Sequence, residues 1–512
     1  MKYKPIIGLE FHIQLNTRSK MFCGCNNQNE NDEPNTSVCP ICLGHPGTLP
    51  VVNDEAIDRA IKLGLALNCH IAGLTKFDRK NYFYPDLPKG YQISQFDQPI
   101  CAEGELIINY RALDGLAGRL DDEQELKEIR IMRVHMEEDT AKMVHAKAGS
   151  KSLLDFNRGG SPLLEIVTYP DMRSAHEAKT FGQELQLMVR ELGISDADME
   201  KGHLRVDANI SLLPENDKEL NPKTEIKNIN SFRALEDALD FEIKRQTLLW
   251  ENHTPPDQTT TRGWNDHTNE TVELRGKEEA KDYRYFPEPD IPPLMITKER
   301  IEAIKQSLPE LPQAKRRRLM QEYGFSGETA KILTADKNIV EFAEHSISEL
   351  YEWVTTLPEV EGSKEEIWTA EGKKLIKLLS DWLVNRLLPV LEKEKINLDE
   401  SEINPENFAE LMAIIYQKKV NGAGAVKILE QMVKTGIDPS QAMVELNVEQ
   451  VDDVETLDAL IDSVVKQFPE QVAEYRAGKE PVIRYLLGQV MKQSQGKANP
   501  EKAKKLLEKK LK

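Results

Sequence analysis

The chain has 512 residues, of which 39% are hydrophobic, and a formal net charge of −19. This length suffices for about three or four domains with hydrophobic cores. The acidic total argues against a surface that coats nucleic acid uniformly, although it can hide a local basic face. No apolar run of about 18 residues and no targeting segment is found, so we expect a cytoplasmic protein without membrane contact.

The first predicted element is a β-strand over residues 8–15, in which every second residue from Leu9 to Leu15 is apolar. Glu10 and His12 lie on its opposite face. A carboxylate and an imidazole within a strand that otherwise suits a core need a metal, a charged ligand or a hydrogen-bond network. The strand therefore indicates a site with its own chemistry.

Four of the six cysteines form two close pairs, Cys23 with Cys25 and Cys39 with Cys42. In a large chain of this kind, that spacing is typical of a four-cysteine zinc knuckle rather than of disulfides. A zinc ion bound by four thiolates has no open position, so we expect a structural role at residues 23–42. A degenerate knuckle that has lost its metal is the alternative.

Further carboxylates follow predicted strands downstream. The run 129–134 leads into Glu137 and Glu138, and Glu165 lies within the apolar run 161–167. With Glu10 these groups would repel one another unless a cation held them, which favours Mg²⁺ bound to phosphates. Residues 76–95 supply cationic and aromatic side chains that could steady a transferring phosphoryl group. Ordinary solvated strand faces remain the alternative.

The strand predicted at residues 204–212 carries one wholly polar face, which includes Arg205 and Asn209. The neighbouring run 224–231 is rich in Asn, and together the two favour a lined cavity over a solvated surface. Helices are predicted at 175–192 and 232–250 from their amphipathic pattern. A stiff segment with four prolines, 282–293, either closes the domain or packs against a ligand.

After residue 293 the pattern becomes helical, including one long predicted helix at 370–391. We therefore predict an α+β fold with a β-rich domain at 1–295, a helical domain at 296–404 and a helical tail domain at 405–512. Residues 479–512 hold ten Lys or Arg against three Glu, a local charge of +7. This tail suits contact with RNA phosphates, and a solvated helix end is the alternative. The sequence has no Gly-x-x-x-x-Gly-Lys-Ser/Thr run, which excludes a P-loop.

Several motifs together resemble the B subunits of aspartyl/glutamyl-tRNA amidotransferases, the GatB family, in their bacterial form. The resemblance covers the whole chain. It is carried by Gly8–His12, Phe77–Asp86, Tyr91–Gln95, His135–Asp139, Pro162–Val167, Asp282–Asp290, Gly488–Lys492 and Gly496–Pro500.

The resemblance implies a cradle-like catalytic domain and a tRNA-binding tail. The enzyme would phosphorylate the side-chain carboxylate of mischarged Glu-tRNA(Gln) or Asp-tRNA(Asn) with ATP, and ammonia would then displace the phosphate. Because a free carboxylate is a poor electrophile, the activation step is chemically required. The family's Mg²⁺ ligands fall on Glu10, His12, Glu138 and Glu165, with Glu137 beside them, and Lys80 and Tyr82 would lie near the reacting groups. We expect Lys80, Arg205 and Asn209 to bind the nucleotide.

The implied partners are an amidase-type glutaminase and a small third polypeptide, in an obligate heterotrimer whose ammonia tunnel ends near Glu138. The sequence departs from the family pattern at Thr140–Lys142 and in the turn Arg158–Ser161, which puts the ligand geometry rather than the class in question. Two other functions remain open. One is a stand-alone carboxylate-amine ligase acting on a small acid, and the other is a zinc-stapled RNA-binding scaffold without catalysis.

Overall fold

The computed structural model describes residues 2–28, 30–109, 126–145, 151–215, 217–274, 283–353, 363–450, 454–494 and 497–511. Asp282 of the proline-rich segment, Gly496 and Lys512 of the basic tail lie outside these ranges. The chain divides into two compact units, Met1–Ala314 and Lys315–Lys512. Each unit is described by itself.

The first unit contains sixteen described strands and four complete helices. The strands are β1 (Tyr3–Gln14), β2 (His70–Ile71), β3 (Leu74–Thr75), β4 (Asp78–Asn81), β5 (Tyr91–Ser94), β6 (Cys101–Asn109), β7 (Leu126–Glu138), β8 (Lys142–His145), β9 (Ser152–Asp155), β10 (Pro162–Thr168), β11 (Leu204–Pro214), β12 (Thr224–Ile229), β13 (Thr260–Asn265), β14 (Glu270–Glu273), β15 (Phe286–Pro287) and β16 (Leu294–Met295). The helices are α1 (Asp54–Ala66), α2 (Ala175–Glu191), α3 (Phe232–Glu251) and α4 (Lys298–Gln306).

Nine of these strands form one sheet in the order β14-β13-β12-β11-β1-β10-β7-β6-β2. Every neighbouring pair is antiparallel except β12 with β13. The apolar face of β1 packs against α2, where the rings of Phe11 and Phe181 lie 5.8 Å apart. Because side chains alternate along a strand, the polar residues of β1 are left on the opposite face of the sheet.

Helix α3 is tied to the edge of the sheet through one fully buried carboxylate. Glu242 accepts hydrogen bonds from Arg245 at 2.8 Å, from Gln246 at 3.1 Å and from Thr271 of β14 at 2.5 Å. These bonds offset the cost of burying its charge. Burial alone would raise the pKa of Glu242, but Arg245 and the hydrogen-bond donors outweigh it and lower that pKa.

Three small sheets complete the first unit, with the orders β15-β4-β5, β16-β3 and β8-β9. Strand β15 joins β4 through Phe286 opposite Arg79, and β5 lies against the end of β7 through the bond from Ile93 N to Glu138 Oε1, 2.9 Å. The segment that contains β15 therefore returns to residues 78–94 at one end of the large sheet.

The second unit is helical. Its helices are α5 (Pro312–Tyr323), which begins just before the division, α6 (Gly327–Leu333), α7 (Lys337–Trp353), α8 (Lys364–Trp382), α9 (Leu388–Glu394), α10 (Pro405–Tyr416), α11 (Gly422–Thr435), α12 (Pro439–Glu445), α13 (Val454–Gln467), α14 (Pro469–Arg476), α15 (Val482–Gln493) and α16 (Pro500–Leu511). One hydrophobic core spans residues 319–443 and another spans residues 457–511. No described helix is both long and apolar enough to cross a membrane.

The predicted α+β class is confirmed, while the boundaries differ from the predicted ones. The first unit continues past residue 295 because Ile301 and Ile304 of α4 pack on its core. The predicted boundary at 404/405 falls within one core, since Phe408 packs with Phe342 at a ring distance of 5.5 Å. The helix predicted at 370–391 is α8 and α9 joined by a π-helical turn, Leu383–Leu387.

Candidate active site and cysteine knuckle

The register of four adjacent strands builds the candidate site on the polar face of the large sheet. His12 of β1 lies opposite Arg205 of β11 on one side and opposite Glu165 of β10 on the other. Glu165 in turn lies opposite His135 of β7. Since residues opposite one another in antiparallel strands share a face, Arg205, His12, Glu165 and His135 form one row across the sheet.

The row brings together a compact group of metal-ligand side chains. His12, Glu137 and Glu165 can each offer one ligand atom, and these atoms lie within 4.8 Å of one another. His12 Nε2 is 3.4 Å from Glu165 Oε2 and 3.7 Å from Glu137 Oε1, and His135 Nε2 is 3.2 Å from Glu165 Oε2. One imidazole and two carboxylates, nearly buried, form a donor set that suits a divalent cation.

The charges of this group are coupled. Burial disfavours the imidazolium of His12, but its hydrogen bond to Glu165 and the charge of Glu137 outweigh burial and raise the pKa of His12. Burial would raise the pKa of Glu165, but His135 and His12 hold that pKa well below its usual range. Both shifts have one cause, the attraction between the Glu165 carboxylate and the imidazoles that flank it.

Lys80 of β4 is the cation beside this group. Its Nζ lies 3.9 Å from Glu137 Oε2, and Glu137 also accepts a hydrogen bond from Ser94 Oγ at 3.4 Å. Burial would lower the pKa of Lys80, but the charge of Glu137, together with Glu165 and the two nearby tyrosines, outweighs burial and raises it. Lys80 thus remains positively charged at the group, as a residue near transferring phosphate must be.

Glu138, which was predicted as a metal ligand with His12 and Glu165, lies apart from this group in the structure. Neighbouring residues on β7 point to opposite faces, so Glu137 faces the row and Glu138 faces away from it. The carboxylate of Glu138 forms an ion pair with Lys89 and accepts a hydrogen bond from Ile93 N at 2.9 Å. Glu137, predicted only as a neighbour, takes the place in the group that Glu138 was expected to fill.

The other predicted residues lie around the group rather than in it. Glu10 is on the same face of β1 as His12, and its Oε1 accepts a hydrogen bond from Asn209 Nδ2 at 3.0 Å. Arg205 donates to Asp139 at 2.9 Å. The ring of Tyr82 lies 6.1 Å from that of Tyr283, whose ring centroid is 5.3 Å from Lys80 Nζ.

A cavity of about 690 Å³ adjoins Glu10 and Asn209. Its lining also includes Thr168, Ser211 and Lys223. This volume lies in the range of sites for small molecules and cofactors. The polar strand at 204–212 therefore lines a cavity, as its pattern predicted.

His135 is the residue that the sequence reasoning missed. It lies within the quoted motif His135–Asp139 but was not assigned to the site. Period-two alternation along β7 pairs His135 with Glu137 on one face and would have separated both from Glu138. The alternation that identifies His135 is present in the sequence. The prediction grouped Glu137 with Glu138 because they are adjacent in the chain, although adjacent residues of a strand lie on opposite faces.

The four predicted cysteines come together as a second candidate metal site. Their sulfur atoms lie within 4.8 Å of one another, and the Sγ atoms of Cys39 and Cys42 are 3.9 Å apart. Four thiolates at about 2.3 Å in tetrahedral geometry are separated by about 3.8 Å, so the cluster fits zinc. The Cys39 N–H also donates to Cys42 Sγ at 3.2 Å, as in a knuckle turn.

A buried lysine accompanies the cysteine knuckle. Lys20 has no exposed surface, and its Nζ lies 3.8 Å from Cys42 Sγ and 3.3 Å from the carbonyl oxygen of Phe156. Donation from Cys23 and the charge of Lys20 lower the pKa of Cys42. A four-thiolate zinc site carries net negative charge, which Lys20 would partly neutralise.

The knuckle also adjoins the far face of β7. A cavity of about 220 Å³ is lined by Cys23, Cys42, Gly160, Lys89 and Glu138. The glycine has φ +87°, and a Cβ there would lie 3.4 Å from the Cβ of Cys42 and 4.0 Å from Glu138 Oε2. The turn therefore sets the close approach of the knuckle to Glu138.

Comparison with known proteins agrees with this architecture. The family model described as "GatB/GatE catalytic domain" matches residues 5–302, and the model described as "GatB domain" matches residues 365–511. The first match spans the entire sheet and the candidate site. The fold and site thus define a protein of the GatB/GatE catalytic class.

Full-length relatives narrow this class. An aspartyl/glutamyl-tRNA(Asn/Gln) amidotransferase B subunit from Crocosphaera subtropica is 43% identical, over 99% of this chain and 97% of the relative. The protein of the same name from Thermotoga neapolitana is 42% identical, over 99% of this chain and 99% of the relative. The one from Persephonella marina is also 42% identical, over the full length of both chains. The chain belongs to the GatB family, the B subunits of this amidotransferase, as the sequence motifs predicted.

Proposed function

We propose that this chain carries the ATP-dependent transamidation of Glu-tRNA(Gln), Asp-tRNA(Asn) or both. Family membership supports the overall reaction. The location of the active site is inferred from one observation, the group of His12, Glu137 and Glu165 with Lys80 beside it. The side-chain carboxylate of the esterified amino acid attacks the γ-phosphorus of ATP, and ADP leaves. Ammonia then attacks the acyl phosphate, and inorganic phosphate leaves.

His12, Glu137 and Glu165 would hold Mg²⁺, which neutralises phosphate charge during such a transfer when it is bound. Lys80 contributes a fixed positive charge next to Glu137, on the side where the transferring group would approach. The cavity beside Glu10 and Asn209 has room for the nucleotide. These residues bind and orient the reactants, and the chemistry is that of the phosphate and the carboxylate.

Ammonia would come from a glutaminase partner of the amidase type, which assembles with this chain and a small third polypeptide. The cavity lined by Lys89 and Glu138 is the candidate end of its path, because it lies on the opposite face of β7 from Glu137, one residue along the strand from the candidate site. Ammonia itself carries the lone pair that attacks, and the carboxylate of Glu138 can accept a hydrogen bond from its N–H.

The C-terminal tail would contact tRNA phosphates. Truncation before Lys479 is a poor test, since it removes Ile483, Leu486 and Leu507 from the core of residues 457–511. Replacing the exposed Lys505 and Lys509 of α16 by Gln leaves that core intact. The salt dependence of tRNA affinity should then flatten by about one unit of slope per lost contact. An unchanged slope would leave α16 as a solvated helix.

The central experiment reconstitutes the chain with its two proposed partners and measures ADP release and amide formation. Wild type should require mischarged tRNA, ATP and a divalent cation together, and Glu165→Ala should lose at least about 10²-fold in rate. ADP release without any RNA would favour the stand-alone ligase instead. Full biological activity of Glu165→Ala would favour the RNA-binding scaffold. Amide formation from free glutamine by the chain alone would refute the partner proposal.

A further inference from the structure

Four aromatic rings form a continuous, partly exposed surface next to the candidate site. The ring of Phe96 stacks on that of Tyr285 at 4.3 Å, with an angle of 12° between the planes. Tyr285 meets Tyr283 edge to face at 6.1 Å, and Tyr283 meets Tyr82 in the same way at 6.1 Å. We call Tyr82, Phe96, Tyr283 and Tyr285 the aromatic platform.

The backbone holds the platform in place. Asn81 of β4 donates its N–H to the carbonyl oxygen of Tyr283 at 2.9 Å and its side-chain amide to that of Arg284 at 2.8 Å. The N–H of Phe96 donates to Asp78 Oδ2 at 3.1 Å. Two segments far apart in the chain are therefore fixed side by side, so the rings are preorganised rather than collapsed by chance.

Two of the platform's four rings are exposed, and the other two, Tyr82 and Tyr285, are half-buried. Phe96 is 57% exposed and Tyr283 is 40% exposed. Scattered apolar side chains at a surface are ordinary, but a contiguous set of exposed rings marks a binding site. Rings that are already fixed and partly hydrated can gain contact area by stacking with little loss of side-chain entropy.

The platform is continuous with the candidate active site. Lys80 Nζ lies 5.3 Å from the centroid of the Tyr283 ring and 3.9 Å from Glu137 Oε2. Lys80 is thus shared between the aromatic surface and the carboxylates. A ligand stacked on the rings would have its next chemical group within reach of the group of His12, Glu137 and Glu165.

We propose that the aromatic platform stacks the unpaired bases at the 3′ end of the substrate tRNA. The inference rests on the proposed function and identifies the part of the substrate that the site takes. The amino acid is esterified to the terminal ribose, so a side-chain carboxylate held near Lys80 brings the last nucleotides toward the Tyr283 ring, whose centroid is 5.3 Å from Lys80 Nζ. Stacking suits unpaired nucleotides because every base has a π-face.

A nucleobase could also come from ATP, but two observations favour the RNA. The rings extend as a chain of successive contacts, which offers more aromatic surface than a single adenine needs. The cavity beside Glu10 and Asn209 is a separate space of about 690 Å³ for the nucleotide. The platform therefore serves the RNA, and the test distinguishes the two sources.

The test measures the dissociation constant of the full-length chain for two RNAs, a tRNA transcript and the same transcript without its unpaired 3′ nucleotides. Phe96→Ala should weaken binding of the intact tRNA about fivefold to about 150-fold, the equivalent of about 1–3 kcal/mol per stacked base. The truncated RNA should bind wild type and the variant equally. Phe96→Tyr should keep wild-type affinity because it retains the ring, and Phe96→Leu should behave like Phe96→Ala.

Leu248→Ala provides the matched control, since Leu248 of α3 is 59% exposed and lies outside the platform. It should leave both affinities unchanged. Equal loss for both RNAs, or full affinity in Phe96→Leu, would overturn the proposal. So would a raised KM for ATP with unchanged affinity for the intact tRNA, which would assign the rings to adenine.

The proposed function can fail separately. If wild type releases no ADP with mischarged tRNA, the reaction is wrong whatever Phe96 contributes. If wild type is active and Phe96→Leu binds the intact tRNA normally, only the platform proposal falls.

Discussion

Glu137 and Glu138 are adjacent in sequence, yet they lie in different surroundings. Glu137 lies in the group with His12 and Glu165, whereas Glu138 is paired with Lys89 on the other face of β7. Exchanging each for Gln removes one charge with almost no change of shape. The two variants therefore form a matched pair, in which one should lose metal binding and the other should lose local stability.

For Glu137→Gln we expect a loss of metal binding. Removing even an outer hydrogen-bond partner of a metal ligand typically lowers metal affinity about 10- to 100-fold. Removing one of two carboxylates in the group should exceed that, so at least about 100-fold weaker binding is expected. Mn²⁺ can replace Mg²⁺ as the probe, with free ion counted by electron paramagnetic resonance. Glu138→Gln should bind Mn²⁺ as wild type does.

For Glu138→Gln we expect a loss of local stability. The side chains of Glu138 and Lys89 are 4% and 9% exposed, so the substitution leaves a buried ammonium without its counter-charge. Breaking a buried ion pair from one side costs about 3–5 kcal/mol. Hydrogen exchange in β7 should then be at least about 100-fold faster, while Glu137→Gln should change it much less. Loss of Mn²⁺ binding in Glu138→Gln, together with its retention in Glu137→Gln, would refute this division of roles.

Three further predictions concern the framework of the first unit. Glu242→Gln should cost about 2 kcal/mol in unfolding free energy at neutral pH. Folding lowers the pKa of Glu242, so the stabilisation from its charge is complete above the unfolded pKa of about 4.3 and is lost as pH falls through the lower folded pKa. The difference in unfolding free energy between variant and wild type should therefore close in acid unfolding curves. A difference that stays constant with pH would contradict this. Gly160→Ala should lower the unfolding free energy by about 1–2 kcal/mol because Gly160 has a φ of +87°. Gly73 has open space around it, so the Gly73→Ala variant should have a melting temperature near that of wild type. Equal melting temperatures of the two variants would argue against backbone strain at Gly160. Lys20→Met should release zinc to a chelator about 10- to 100-fold faster by removing the charge near Cys42, and unchanged release would leave Lys20 a packing residue.

Local sequence patterns correctly predicted several elements of the fold. The alternation in residues 8–15 predicted β1 and its polar face, and the amphipathic runs at 175–192 and 232–250 correspond to α2 and α3. These patterns succeed because they depend on the period of one element packed against one core. The cysteine spacing succeeded for a similar reason, since a knuckle brings its pairs together over a short stretch of chain.

The differences between prediction and structure concern long-range pairing. Which residue of β7 faces His12 depends on the registers of β7 with β10 and of β10 with β1, together with an irregularity at Val167 and Thr168. No local pattern encodes those registers. The composition changes at residue 295, while the packing of α4 continues the first core beyond it, so the first compact unit extends past the predicted boundary.

The row that holds His12 and Glu165 lies on β1 and β10, strands with neighbours on both sides in the widest sheet of the described residues. Such central ladders open only with global unfolding, so the chemistry rests on the least deformable part of the protein. Any adjustment needed during turnover must therefore come from the substrates, from the short strand β4 that carries Lys80, and from the segments beside the small sheet that carry the platform. Substitutions in these peripheral segments can therefore change substrate specificity during evolution while the central strands stay the same.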